Sequence, residues 1–295
     1  MLWIRTSAVD FLTALTQQQF LQAALVAGLL ASVGCGMVGP FVVAKRITFL
    51  AGGIAHSVLS GMGAALFFGF DPLTGAVVAA VLAALLTGSV RLRWKAQEDT
   101  LIGALWAVGM AIGILVVSKT PGYATDLMSY LFGNILLVPP RELWFMGALD
   151  GLLLLVIGLF YRQFLAISFD EEFTRVRGVP VAFFYLLLLV MVAVTVVLLI
   201  QVVGLILVIA LLTLPAAVAG HYVHSLQPMM VLATFLGSLF TTAGLAISYD
   251  PDLPAGPTIV LVAGGVYIVS AVISRMVAER RARQYAMLAA MRPRS

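Results

Sequence analysis

Charged side chains are scarce in this sequence of 295 residues. Asp, Glu, Lys and Arg supply 10% of it and hydrophobic residues 62%, whereas a soluble domain carries about 25% charged residues. A surface that faces water cannot be built from this composition. Whole blocks lack charge and are long enough to cross a bilayer, which takes about 20 apolar residues: Phe11–Ala44, Ile47–Phe70, Pro72–Val90 and Thr100–Ser118. The sequence therefore predicts an integral membrane protein.

Signatures of catalysis are also lacking. The chain has no phosphate loop of the form GxxxxGKS/T, no HExxH, no GxSxG and no paired-cysteine metal site. We therefore predict no catalytic residue and no bound cofactor, and any ATP that drives the protein must be hydrolysed by another chain. The single cysteine, Cys35, excludes an intrachain disulfide and is predicted to pack inside the first span.

The apolar blocks predict helices. They lack two-residue alternation and are longer than the strands of an outer-membrane barrel, which run to about 10 residues, and helices satisfy the backbone in lipid. Gly178–Tyr249 carries no charge over 72 residues and predicts three helices, since one crossing uses roughly 20 residues. We predict an all-α polytopic membrane protein with eight or nine transmembrane helices. The predicted spans are 19–43, 47–69, 72–90, 100–118, 143–165, 180–200, 203–223, 228–248 and 256–275.

The predicted spans form one domain over residues 19–276, between two flanking segments. Residues 1–18 are predicted to be external or interfacial, and residues 277–295 form a basic cytoplasmic tail. Residues 123–140, between the fourth and fifth spans, are amphipathic and too short to cross twice. They predict an external helix or a re-entrant segment.

Lysine and arginine set the predicted orientation, because they are retained on the cytoplasmic side. With the N-terminus outside, all but three of the 17 basic residues fall inside, the exceptions being Arg5, Lys119 and Arg141. We predict a multi-pass protein of the bacterial cytoplasmic (inner) membrane with its C-terminus in the cytoplasm. The positive charge indicates anionic lipid headgroups as partners, and no nucleic acid is needed to explain it.

Two ionisable residues inside the predicted spans are candidate sites, because such groups are costly in a bilayer. His56 lies near the middle of the second span, where neutral imidazole suits several transition metals. Gly52 and Ser60 lie one turn away on either side and leave room for an ion.

Asp150, near the outer end of the fifth span, is a second candidate for the ion path. A hydrogen-bonded histidine and a solvated carboxylate are the structural alternatives, whereas His221 and His224 are predicted to lie among lipid headgroups.

The segment 168–180, SFDEEFTRVRGVP, is the longest polar insertion on the predicted cytoplasmic side. Its acidic residues precede its basic ones, as suits a short helix and its dipole, and a glycine can end that helix. A docking helix and a solvated connector are both compatible with this pattern. The candidate coupling residues are Asp170, Glu171, Glu172, Arg175 and Gly178.

Several segments together resemble the ABC-3 family, the permeases of bacterial zinc and manganese ABC importers. The second span, ITFLAGGIAHSVLSG, resembles the family's motif around an intramembrane histidine, and Lys45 and Arg46 match its preceding basic pair. Further similar segments follow in the family's order over about residues 18–276: SYLFGNIL (129–136), the loop beginning FDEEFTRVRG, GLILVIALLTLPAAVAG (204–220) and DLPAGPTIVL (252–261).

The resemblance implies a permease bundle of the type II ABC importer kind. It implies a homodimer of this chain with a pore on the two-fold axis, two cytoplasmic ATPase subunits that bind ATP, and an external metal-binding protein. It also transfers His56 as an ion contact and 168–180 as the element that couples to the ATPase.

One departure from the family pattern affects the choice of metal. Many members place an aspartate four residues before the histidine, where this chain has Gly52. Manganese then lacks its expected oxygen ligand, and imidazole chemistry favours zinc as the substrate, with manganese and iron as the other divalent metals that this site allows. The alternatives are an ABC permease for iron chelates or a cobalamin-like cofactor, and a proton-driven secondary transporter that uses Asp150 and His56 as its relay.

Overall fold

A computed structural model describes residues 11, 13–93, 98–120, 135–251 and 253–290. Those residues form helices and connections without a β-strand. The helices are α1 (Gln19–Ala44), α2 (Thr48–Phe67), α3 (Pro72–Arg93), α4 (Glu98–Ser118), a short 3-10 helix (Ile135–Leu137), α5 (Pro140–Phe169), α6 (Glu171–Val176), α7 (Val181–Tyr222), α8 (Leu226–Tyr249) and α9 (Ala255–Ala290). The predicted all-α class is confirmed.

Within the described residues, seven helices are long and apolar enough to cross a membrane, and two shorter apolar segments, Val181–Val197 and Leu207–Tyr222, complete the bundle. Those two segments lie in the two halves of α7, residues 181–203 and 205–222, which are separated at Gly204 by a backbone conformation with φ 76° and ψ 163°. Only glycine adopts that region readily. Together these elements correspond to the predicted spans.

Contacts at the two ends of α7 show that the chain reverses at Gly204. Near its start, the Tyr185 ring lies beside Lys45, at the end of α1. Near its end, α7 leads into α8, which is antiparallel to α1 because Tyr249 contacts Gln18 and Thr234 contacts Gly36. Both ends of α7 therefore lie at the Lys45 end of the bundle, and its halves are separate crossings.

Small residues bring the helices close, as their spacing predicts for packing in lipid. On α4, a Cβ at Gly109 would lie 2.9 Å from the backbone of Ser57, and one at Gly113 would lie 2.7 Å from that of Leu59. On α3, Gly75 and Gly61 of α2 face each other with no room for a side chain. The backbones of α2, α3 and α4 are consequently in direct contact.

Some predictions concern residues outside the described ranges. The external or re-entrant segment at 123–140 lies outside them up to residue 134, as do most of the SYLFGNIL segment and residues 1–10. At the other end, α9 continues to Ala290, so the helix of the last span extends into the predicted basic tail.

Candidate ion contact and coupling helix

His56 lies on α2 with its imidazole stacked on the indole of Trp106 from α4. The ring centroids are 4.1 Å apart and the planes are inclined by 14°. Two contacts fix this level of the bundle: Gly53 packs on Ile102 and Gly109 packs on Ser57. Because α2 and α4 run in the same direction at such close range, Trp106 is held opposite His56.

Trp106 also occupies the space beside Gly52. A Cβ built at Gly52 would lie 3.8 Å from Cζ3 of Trp106, so the indole is within van der Waals distance of a side chain at that position. The sequence placed His56, Gly52 and Ser60 on one face of the helix, but Trp106 was missed. No short motif links it to His56, since the two meet only when α2 and α4 pack.

The buried Nδ1 of His56 has no hydrogen-bond partner in the part of the chain that the structure describes. Neutral imidazole is a common transition-metal ligand. One turn further on, the Ser60 hydroxyl donates to the Ser57 carbonyl at 2.6 Å, and its side chain lines an apolar groove between α2, α3 and α4. His56 thus has a ring nitrogen free of hydrogen bonds within the described chain, as a metal ligand requires, whereas the Ser60 hydroxyl is already hydrogen-bonded to its own helix.

Asp150 is placed by α5 at a different helix junction. Its Oδ1 lies 2.8 Å from the position of a Cβ at Gly34 on α1, so the absence of a side chain there makes room for the carboxyl group. Oδ2 of Asp150 and Oγ1 of the neighbouring Thr195 on α7 are buried without a hydrogen-bond partner among the described residues. Since the His56 ring contacts α4 and the Asp150 carboxyl group lies against α1, and neither buried polar atom has a partner among the described residues, the structure does not pair the two candidates.

Histidines near the predicted inner end take no part in a metal cluster. Nδ1 of His221 lies 2.9 Å from the Ser270 hydroxyl of α9, and its ring stacks on Tyr267, whereas His224 is exposed. Within the described residues, no group of three or more His, Cys, Asp or Glu side chains could hold a metal ion.

The polar segment after α5 contains a short helix, α6. It begins and ends at residues that the sequence predicted for a helix in this segment. The Asp170 carboxylate accepts a hydrogen bond from the Phe173 amide at 2.9 Å, which caps the helix. Glu171 and Glu172 lie in its first turn and Arg175 in its last. Gly178, with φ 79°, lets the chain turn away after it.

Glu171 forms a salt bridge within the bundle. Its Oε1 lies 2.7 Å from Nζ of Lys45, and the same ammonium group donates to the Ile167 carbonyl at 2.6 Å. Nζ of Lys45 also lies 5.3 Å from the centre of the Tyr185 ring, and Cζ of Arg91 lies 5.1 Å from it. Lys45, known from the sequence only as half of a basic pair, is therefore a central contact.

A family profile for the ABC 3 transport family matches residues 17–274. The match covers all the helices described above except the last part of α9. The chain belongs to the ABC 3 transport family. The resemblance drawn from its motifs is thereby confirmed, and as a member of this transport family the chain is a membrane transport protein.

Curated relatives match this chain over most of their length. An uncharacterized membrane protein of Synechocystis is 46% identical over 90% of this chain and 95% of its own. A probable metal transport system membrane protein of Chlamydia trachomatis is 36% identical, over 85% and 88%. The manganese transport system membrane protein MntC of Halalkalibacterium halodurans is 34% identical, over 87% and 88%.

A solved structure supports the same fold. PsaBC from Streptococcus pneumoniae in complex with Fab aligns with a TM-score of 0.81 and 33% identity, over 89% of this chain and 94% of the other. An inward-facing conformation of a putative metal-chelate type ABC transporter aligns with a TM-score of 0.70 at 16% identity, which supports the fold alone. The helix order of this ABC 3 chain is therefore that of an ABC permease.

Proposed function

We propose that this chain is the membrane-spanning permease subunit of an ATP-driven importer for a divalent transition metal. Relatives that match over most of their length are named as metal or manganese transport proteins. The observation that carries the proposal is His56, a half-buried imidazole in a transmembrane helix, with a buried ring nitrogen that makes no hydrogen bond within the described chain. A single imidazole per chain suits transport, because conduction requires release as well as binding.

The proposed assembly contains two copies of this chain, a dimer of cytoplasmic ATPases and an external metal-binding protein. The absence of a phosphate loop and the presence of a capped helix at α6 support a separate ATPase. We place the assembly in the bacterial inner membrane, with the N-terminus of this chain outside, because of the distribution of lysine and arginine. Hydrolysis of ATP then belongs to the partner subunit, and the metal is the substrate of the permease.

The identity of the metal depends on two opposing considerations. The manganese names of relatives at 33–34% identity favour manganese. Against this, Gly52 supplies no carboxylate and Trp106 occupies the space beside it, and imidazole without hard oxygen ligands suits zinc better. We therefore propose manganese and zinc as the two substrates, with manganese favoured by the relatives and zinc by the site.

Transport of radioactive manganese and zinc by the assembled complex tests the proposal. The permease is reconstituted in vesicles with its ATPase and its binding protein, and uptake of each metal is measured with and without ATP. We expect ATP-dependent uptake that His56→Ala and His56→Gln both abolish at normal membrane abundance, because neither side chain replaces imidazole as a ligand.

Three results would contradict this proposal. Uptake of neither metal, with transport of an iron chelate or cobalamin-like compound instead, would assign the chain to the alternative class of ABC permeases. Uptake driven by a proton gradient in vesicles that lack the ATPase would assign it to the secondary transporters. Wild-type zinc or manganese uptake by His56→Gln would show that His56 makes only a structural hydrogen bond.

A further inference from the structure

We infer that Lys45 fastens the coupling helix α6 to the helix bundle, and that Glu171 transmits the movement of α6 to α1 and α7 instead of contacting the ATPase. This inference rests on the proposed function, since it concerns how an ATPase on the cytoplasmic side would move the permease. Glu171 and Lys45 are positioning residues in it, and neither touches the metal.

The first observation is that one ammonium group binds two successive helices. Ile167 lies in the last turn of α5, where backbone carbonyls have no partner within the helix, and its carbonyl accepts from Lys45 at 2.6 Å. Glu171 begins α6 and binds the same nitrogen at 2.7 Å. Lys45 therefore fixes α6 relative to the end of α5.

The second observation is that the same point joins three more helices. Lys45 follows the last residue of α1. Its ammonium and the Arg91 guanidinium of α3 both lie against the ring of Tyr185 on α7, at 5.3 Å and 5.1 Å from its centre. Cations over an aromatic face attract the ring. A displacement of α6 is thus carried to the ends of α1, α3 and α7 through one cluster.

The third observation is burial, which distinguishes the two partners. The Lys45 side chain is 4% exposed and that of Glu171 is 33% exposed. Burial lowers the pKa of Lys45, while the hydrogen bond and charge of Glu171 raise it. Without Glu171, a buried ammonium beside Arg91 would lose its carboxylate, whereas the Glu171 carboxylate, whose side chain is 33% exposed, would still reach water without Lys45. Loss of Glu171 should therefore be the more harmful of the two.

The remaining side chains of α6 leave a separate surface for the ATPase. Thr174 is buried beneath the helix, and Glu172 is exposed on it. Phe173 and Val176 are 54% and 86% exposed. The inward side of α6, with Glu171 and Thr174, therefore attaches the helix to the bundle. The outward side, with Glu172, Phe173 and Val176, is left to contact the ATPase.

Two measurements test the attachment. Hydrogen exchange of residues 171–178 is followed in the permease alone, in lipid nanodiscs, for the wild type, Lys45→Met, Glu171→Gln and the double variant. We expect exchange to rise at least about tenfold in each variant, because the helix opens locally once its tether is lost. Metal transported per ATP hydrolysed is then measured in the full complex, and should fall at least about fivefold while the ATPase rate is retained.

The double variant and a control ion pair on α9 show whether the effects belong to the contact between Lys45 and Glu171. If the two residues act as one unit, Lys45→Met with Glu171→Gln should be no worse than Glu171→Gln alone, since contacting residues are non-additive. Arg275→Met and Glu279→Gln remove an exposed ion pair of α9 at 3.5 Å and should leave both measurements at wild-type values. If Glu171→Gln fails to insert into the membrane, Lys45→Met alone still tests the attachment, because this variant removes the buried charge and leaves no ammonium group without a partner.

Unchanged hydrogen exchange in residues 171–178 of the variants would show that Lys45 and Glu171 do not hold α6 on the bundle. Faster exchange with an unchanged amount of metal transported per ATP would show that the salt bridge does not transmit the movement of α6. Additive effects of the two substitutions would also contradict it. A wild-type complex without ATP-dependent metal uptake would instead refute the proposed function, and the exchange measurement on the permease alone would still report on the tether.

Discussion

Trp106 is the aromatic neighbour of the candidate ion contact, and its substitution tests whether the orientation of the His56 ring affects uptake. Its indole stacks on His56 and lies beside Gly52, so it fixes the ring plane of the proposed ligand. Stacked aromatic pairs contribute about 0.5–1.5 kcal/mol beyond their burial. We expect Trp106→Ala to lower metal uptake about two- to tenfold, the equivalent of that energy, measured in vesicles at matched permease abundance.

The same geometry predicts an interaction between residues 52 and 106. Gly52→Asp alone should impair uptake, because Trp106 already lies beside position 52 and competes with the carboxylate for the approach to an ion at His56. Gly52→Asp combined with Trp106→Ala should restore uptake and shift preference towards manganese, which oxygen ligands suit. Competition between the two metals measures the shift. A preference that is identical with and without the aspartate would argue against position 52 facing the ion.

Asp150 offers a second prediction at the scale of single residues. Asp150→Asn keeps the shape and removes the charge, and we expect metal uptake to fall about tenfold, because intramembrane carboxylates are usually functional. Gly34→Ala should lower uptake as well, since its Cβ would lie 2.8 Å from Oδ1 and displace the carboxyl group. Gly151→Ala, with nothing within 4 Å of its Cβ, is the control. Wild-type uptake by Asp150→Asn would restrict Asp150 to a structural role.

At the scale of helices, close backbone contacts should dominate stability. Gly61 of α2 faces the carbonyl of Gly75 on α3, so Gly61→Ala must separate the two helices. Overpacking of this kind costs about 1–3 kcal/mol, and we expect a lower unfolding temperature in detergent, measured by intrinsic fluorescence. Gly264→Ala is the matched control, because a Cβ there meets nothing within 4 Å. Equal midpoints for both variants would show that α2 and α3 can separate without cost.

The sequence predicted the helices well and their partners poorly. Charge-free blocks located the crossings, and the break between spans at 200 and 203 agrees with the reversal at Gly204, because lipid imposes length and polarity on each span separately. The α6 helix was also predictable, since Asp170 and Gly178 act locally. The pairing of Lys45 with Glu171 joins residues 126 positions apart, and Trp106 meets His56 only across two packed helices. Such contacts leave no periodic signal in one sequence.

At the scale of the whole molecule, orientation is the property that the distribution of charge predicts most directly. In a Cys35→Ala background, Lys119→Cys should react with an impermeant maleimide added to intact spheroplasts. Arg281→Cys should react only after permeabilisation, because lysine- and arginine-rich ends stay inside. Both positions are exposed in the structure. Labelling of Arg281→Cys in sealed cells would reverse the predicted topology.

The reversal at Gly204 has a consequence for how the protein enters the membrane during synthesis. Residues 181–220 contain no Asp, Glu, Lys or Arg, and the two halves of α7 meet at one glycine without a polar loop between them. The translocon therefore need not export a hydrophilic segment at this turn, and the two halves can leave it sideways into lipid as one hairpin.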